Sequence, residues 1–118
     1  IASHHDFEQT PSPEVMKMLL EKMCAGGADI VKLAVMPQNY KDVLNLLDVT
    51  AQFREENPDT PVITMSMGSL GGISRISGET FGSCVTFGAH EKPSAPGQFA
   101  MKELRQMLDT IHASSRIQ

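Results

Sequence analysis

Ile30–Val31–Lys32–Leu33–Ala34–Val35–Met36 is apolar at every position but one. It is rich in β-branched residues, with the Gly26–Gly27 pair before it and Pro37 after it. A run of this length between breakers predicts a strand buried on both faces, and such a strand belongs to a parallel sheet covered by other elements. Side chains alternate along a strand. Lys32 therefore shares a face with Ile30, Ala34 and Met36, while Val31, Leu33 and Val35 point the other way. A lysine so placed has three options. It can pair with a carboxylate, snorkel to water at the strand end, or sit in a dry pocket, where desolvation disfavours the ammonium and leaves a nucleophile.

The rest of the chain alternates strand and helix signals. Ile1–Ser3 reads as the tail of a strand, and His4–His5–Asp6–Phe7 as the loop after it. Ser12 fits an N-cap, Pro13 the first helical position and Glu14 the positive helix end. Val15, Met16, Leu19, Leu20 and Met23 then recur at helical spacing as one inward face. Ala25–Gly26–Gly27 stops that helix, since glycine accepts a left-handed cap. Asn39 predicts a second N-cap, followed by a helix over Tyr40–Glu55 with Val43, Leu44, Leu46, Leu47, Val49 and Phe53 inward. Asn57–Thr60 is a turn cluster. Pro61–Met67 reads as a strand with Met65 and Met67 on one face and Thr64 and Ser66 on the other. Gly68–Gly72 is a flexible loop, and Ile73–Phe81 a short helix carrying Arg75. Ser83–Phe87 is a strand, Ala89–Gly97 a loop, and Phe99–His112 a helix with Met101, Leu104, Leu108 and Ile111 inward.

Alternation of this kind implies right-handed βαβ crossovers and a parallel sheet with helices packed on it. Four βα units suit either a small doubly wound domain or half of an eightfold barrel. His5, Lys32, Met65 with Met67, and Phe87 fall at or near the C-terminal ends of four successive strands. Arg75 and the segment Ser94–Gln98 fall in the loops beyond. That rim is where a (β/α) barrel assembles its chemistry, and the barrel is the architecture expected here. A closed barrel needs about 250 residues. The 118 residues thus predict one partial domain over 1–118, the C-terminal half of a (β/α)8 TIM barrel with parallel strands and outer helices. The opening Ile1–Ala2–Ser3, without Met and inside a strand signal, likewise predicts a segment of a longer protein.

Composition excludes several classes of function. A net charge of −4 favours neither nucleic acid nor an anionic membrane surface. No apolar run approaches the roughly 18 residues of a membrane span, and no signal peptide is visible. Two cysteines, without metal-ligand spacing, suit a reducing cytoplasm.

Taken singly, the candidate site residues have ordinary explanations. His5 fits a loop or capping histidine, Arg75 a surface arginine, Ser94–Gln98 a loop and helix start, and Met65 and Met67 core. Together they form a pattern. Ser3–His4–His5–Asp6–Phe7, Lys32–Leu33–Ala34–Val35–Met36–Pro37 and Thr64–Met65–Ser66–Met67 resemble the C-terminal half of the type I 3-dehydroquinate dehydratase family. So do Ile73–Ser74–Arg75, Thr86–Phe87–Gly88 and Ser94–Ala95–Pro96–Gly97–Gln98. The matches run in family order over essentially the whole chain.

The resemblance implies a shikimate-pathway lyase that dehydrates 3-dehydroquinate to 3-dehydroshikimate through an imine, with no metal or organic cofactor. It makes Lys32 the Schiff-base lysine and His5 the proton-transfer histidine. The preceding His4 is often tyrosine in the family. Arg75, Ser94 and Gln98 match substrate-binding residues, with Arg75 the partner of the substrate carboxylate, and Met65, Met67 and Phe87 match pocket-lining positions. The chemistry agrees. An iminium at the ketone carbon acidifies the neighbouring C–H, and an imidazole of ordinary pKa near 6.5 can take that proton and help water leave. A guanidinium fork suits a carboxylate.

The family's first four βα units have no counterpart in the sequence. They contribute arginine and glutamate side chains to the site, including a carboxylate that helps orient the histidine. The chain alone is therefore expected to be poorly active. It is also expected to associate with itself or with the missing half, because a cut barrel leaves open edges and apolar surface. Two alternatives remain open at this point: a class I Schiff-base aldolase, and a non-catalytic half-barrel fragment.

Overall fold

In the computed structural model residues 1–78, 82–83 and 98–115 are described. The order is β1 (Ala2–His5), α1 (Pro13–Ala25), β2 (Val31–Val35), α2 (Tyr40–Glu56) and β3 (Val62–Ser66). A 3-10 turn (Ser69–Gly71), α3 (Gly72–Ile76) and α4 (Met101–Ser115) follow. The three strands form one parallel sheet in the order β1-β2-β3, and Ser83 bridges in parallel to Val62 on the far side of β3. This is an α/β fold.

The helices begin where their caps are. Ser12 Oγ accepts from the Val15 N–H at 3.3 Å, with Pro13 opening the first turn. Asn39 Oδ1 accepts from the Asp42 N–H at 3.0 Å, and Asp42 Oδ2 returns the favour to the Gln38 N–H at 2.8 Å. Each cap satisfies amides that a helix start leaves without partners. α1 ends through Gly27, whose φ of 90° is a conformation that glycine adopts without steric cost.

The sheet's two faces have different partners. Val31, Leu33, Val35 and Val62 pack with Met16 and Leu20 of α1 and Leu46, Val49 and Phe53 of α2. On the other face Ala34, Ile63, Met65 and Met67 cluster, with Ile30 and Met36 against them. The period-2 alternation of β2 therefore divides as the sequence predicts.

Three details of the elements differ from the sequence expectation. His4 and His5 belong to β1, because the ladder to β2 continues up to the Asp6 N–H, which donates to the Ala34 carbonyl at 2.8 Å. Val15, Leu44 and Met101, read as inward, are exposed: a helical apolar stripe is wider than the face that meets the sheet. The glycine segment after β3 is ordered into the 3-10 turn and α3. Ser74 Oγ locks it to the strand, accepting from the Ser66 N–H at 2.9 Å and donating to the Gly71 carbonyl at 2.7 Å.

Candidate active site

Register decides which site residues meet. Ser3 lies opposite Lys32 and His5 opposite Ala34. On the other side Lys32 lies opposite Ile63 and Ala34 opposite Met65. Paired residues of neighbouring strands share a sheet face. His5, Lys32, Met65 and, one step past the strand, Met67 thus look to the same side, away from α1 and α2. Lys32 is half-buried in mid-strand, His5 is exposed at the strand end, and Met65 and Met67 are buried.

His5 sits near enough to Lys32 to be influenced by its charge. Its pKa is held below the ordinary imidazole value, first by partial burial, then by the positive charge of Lys32 and then by that of His4. The imidazole stacks on the ring of Phe7, with centroids 5.9 Å apart and planes 10° from parallel. Asp6 does not stand free beside it: its Oδ1 accepts from the Glu8 and Gln9 N–H groups, both at 3.0 Å, and closes the turn that follows β1.

Among the described residues Arg75 is the largest fully buried side chain, 1% exposed. Its Nη1 donates to Met65 Sδ at 3.4 Å, on the face that carries Lys32. Burial holds the guanidinium below its ordinary pKa. The surface-arginine alternative is thereby excluded. Two features bring this about: the 3-10 turn after β3, and Gly71, where an added Cβ would lie 1.7 Å from the Ser66 carbonyl oxygen. Gln98 is half-buried just before α4. Ser94 and Phe87 lie outside the described residues.

The arrangement joins an amine, an imidazole and a guanidinium around thioether and aliphatic surface, which is chemistry for binding an anion and moving protons. Among the described residues there is no cluster of three or more His, Cys, Asp or Glu that could hold a metal ion. None of their helices is long and apolar enough to cross a membrane. The Ser3–Phe7 motif includes Phe7 but gives it no role, and nothing in the sequence pattern signals the loop contacts around Thr10 and Gln38.

The model of the type I 3-dehydroquinase family matches residues 1–115. A 3-dehydroquinate dehydratase of Clostridium novyi (strain NT) is 53% identical over 112 residues, covering 95% of this chain and 44% of that protein. One from Salmonella enteritidis PT4 is 52% identical with the same coverage. Among solved structures, type I 3-dehydroquinate dehydratase of Clostridium difficile with covalent modified comenic acid superposes with a TM-score of 0.89 at 51% identity, over 95% of this chain and 44% of that one. The enzyme of Geobacillus kaustophilus HTA426 gives a TM-score of 0.90 at 42% identity, over 94% and 43%. The chain thus spans less than half the length of the relatives it matches.

Proposed function

The chain belongs to the type I 3-dehydroquinase family, and from that membership we propose that it is the second half of a (β/α)8 barrel that dehydrates 3-dehydroquinate to 3-dehydroshikimate. The observation that carries this reading is the face of the parallel sheet that Lys32 and His5 share, with His5 at the C-terminal end of β1 and Lys32 within β2. The barrel half is supported by strand order. β1, β2 and β3 follow one another without reversal, and both long crossover helices pack on one face, whereas a doubly wound sheet reverses its order and carries helices on both faces.

In this reading the neutral Lys32 amine attacks the ketone carbon of the substrate, and water leaves to give an iminium. His5 removes the proton from the carbon between the iminium and the carbinol, and the electron pair shifts toward nitrogen. The protonated imidazole then gives its proton to the departing hydroxyl, so that water is lost across the carbon–carbon bond. Hydrolysis of the product iminium restores the amine. A lowered His5 pKa keeps the imidazole in its basic form at neutral pH. Arg75 holds the substrate carboxylate through its planar fork, with Ser94 and Gln98 as hydrogen-bonding partners and Met65, Met67 and Phe87 as pocket wall. The covalent modified comenic acid of the Clostridium difficile relative fits a site that bonds its ligand. No metal or organic cofactor takes part in these steps, and the compartment inferred is the cytoplasm. The chain forms one partial domain over 1–118. It pairs with the missing half or with a second copy, and alone it turns over poorly.

Borohydride reduction in the presence of 3-dehydroquinate tests this. The mass increases by one reduced adduct at Lys32, Lys32→Ala abolishes it, and His5→Ala still forms it. An adduct elsewhere, or none, refutes the imine.

A further inference from the structure

The turn that follows His5 and carries Phe7 is fastened to the strand that carries Lys32 and to the loop after it. Thr10 Oγ1 donates to the Met36 carbonyl at 2.9 Å. The Met36 N–H donates to the Gln9 carbonyl at 3.2 Å. The Gln38 side-chain amide donates to the Glu8 carbonyl. The backbone N–H and C=O of Met36 are therefore both held by residues of the segment after β1. Met36 lies four residues beyond Lys32 on the same side of the sheet. The Gln38 N–H is in turn fixed by Asp42 in the first turn of α2, so one end of the clasp is anchored to a 17-residue helix.

We propose that Thr10 is a positioning residue: its hydroxyl, acting through Met36, holds the turn after β1, with Phe7 stacked on His5, in place beside the strand that carries Lys32. This rests on the proposed lysine–histidine mechanism for its catalytic meaning. The clasp itself stands on geometry alone. β1 ends at His5, the Asp6 N–H carries its ladder one step further to the Ala34 carbonyl, and Asp6 Oδ1 closes the turn on itself, so beyond Asp6 the bonds that tie the turn to β2 and the segment after it are those of the clasp. A few tenths of an ångström of slack there changes the hydration of the imidazole and its distance from Lys32. The charged groups acting on His5 are Lys32 on β2 and His4 on β1, while Asp6 is committed to the turn amides.

The test uses the chain itself. Thr10→Val keeps the shape and deletes the donor, and Thr10→Ser keeps the donor. Proton NMR titration reads His5 directly. In Thr10→Val its midpoint moves upward, toward the ordinary value near 6.5, while the borohydride-trapped adduct at Lys32 still forms, because imine formation precedes the proton transfer. Thr10→Ser restores the parent midpoint. A Thr10→Val titration that overlays the parent, or a serine variant that fails to rescue, overturns the proposal. If Thr10→Val does not fold, Gln38→Ala, on an exposed residue, loosens the same clasp and must move the His5 midpoint in the same direction. Absence of any adduct in the parent chain sinks the imine mechanism, while the His5 midpoints still decide whether Thr10 positions it.

Discussion

An imidazole at a strand end beside a lysine titrates low, and the consequence reaches stability. The folded chain holds fewer protons on His5 than the unfolded chain does near pH 6.5, because burial and the Lys32 charge oppose the cation. The contribution of His5 to stability is therefore complete above that pH. It is lost as pH falls through the lowered folded value. Urea midpoints measured between pH 7 and pH 5 decline in the parent chain, and the decline is shallower in His5→Gln. The effect is small, since His5 is exposed. A second pair of residues behaves asymmetrically. Thr50 Oγ1 lies 2.7 Å from the Leu46 carbonyl and 2.8 Å from Thr64 Oγ1, and both threonines are buried. Thr50→Val strands the Thr64 hydroxyl and costs about 1–3 kcal/mol, the penalty for a buried polar group left without a partner. Thr64→Val leaves Thr50 on its helix carbonyl and costs less than half of that. Equal losses in denaturant melts contradict this account.

At the scale of elements, the passage from β3 to α3 is the most constrained. The 3-10 turn folds back so closely that an added Cβ at Gly71 would meet the Ser66 carbonyl oxygen, carbon and Cβ. The same turn delivers Ser74 to the β3 edge and Arg75 to Met65. Gly71→Ala costs about 1–3 kcal/mol of stability through overpacking. It also displaces Arg75, so under the role proposed for that residue the affinity for carboxylate ligands falls in the fraction that remains folded; an unchanged melting curve excludes the close approach. This passage also shows where the sequence stops being informative. Ser12 and Asn39 announced their helices because capping is local chemistry, and the faces of β2 and β3 followed from the period of a strand. The grouping of Lys32, Met65 and Met67 was legible for that reason. His5's place inside β1 was not, because a strand's last residue is set by its partner's ladder. The burial of Arg75 was not, because it depends on a turn whose tightness is a matter of three-dimensional contact. The exposure of Val15, Leu44 and Met101 was hidden because periodicity marks a stripe and not which flank of it finds a neighbour.

For the molecule as a whole, the proposed association has a flank on which it can be tested. β1 has only β2 as a strand neighbour among the described residues, and Ile1 at its start is 80% exposed. On α1, Lys17 pairs with Glu56 of α2 at 3.1 Å and so marks the side that faces the next helix. At 100° per residue, Val15 falls on the side of α1 opposite Lys17 and Met18 on the outer face between them, and both are exposed. At the other end, Ile76, Phe99, Met107 and Ile111 line a cleft of about 560 Å³ between α3 and α4. An open strand edge beside bare apolar helix surface is a template for another chain, and the relatives are more than twice as long as this one. Light scattering on the purified chain should accordingly show a mass that rises with concentration above that of the monomer. Val15→Glu combined with Met18→Lys replaces that flank with charge and leaves the core face of α1, Met16 and Leu20, untouched. It should return the mass toward the monomer with an unchanged far-ultraviolet circular dichroism spectrum. A monomer mass for the parent at every concentration removes the case for association through this face.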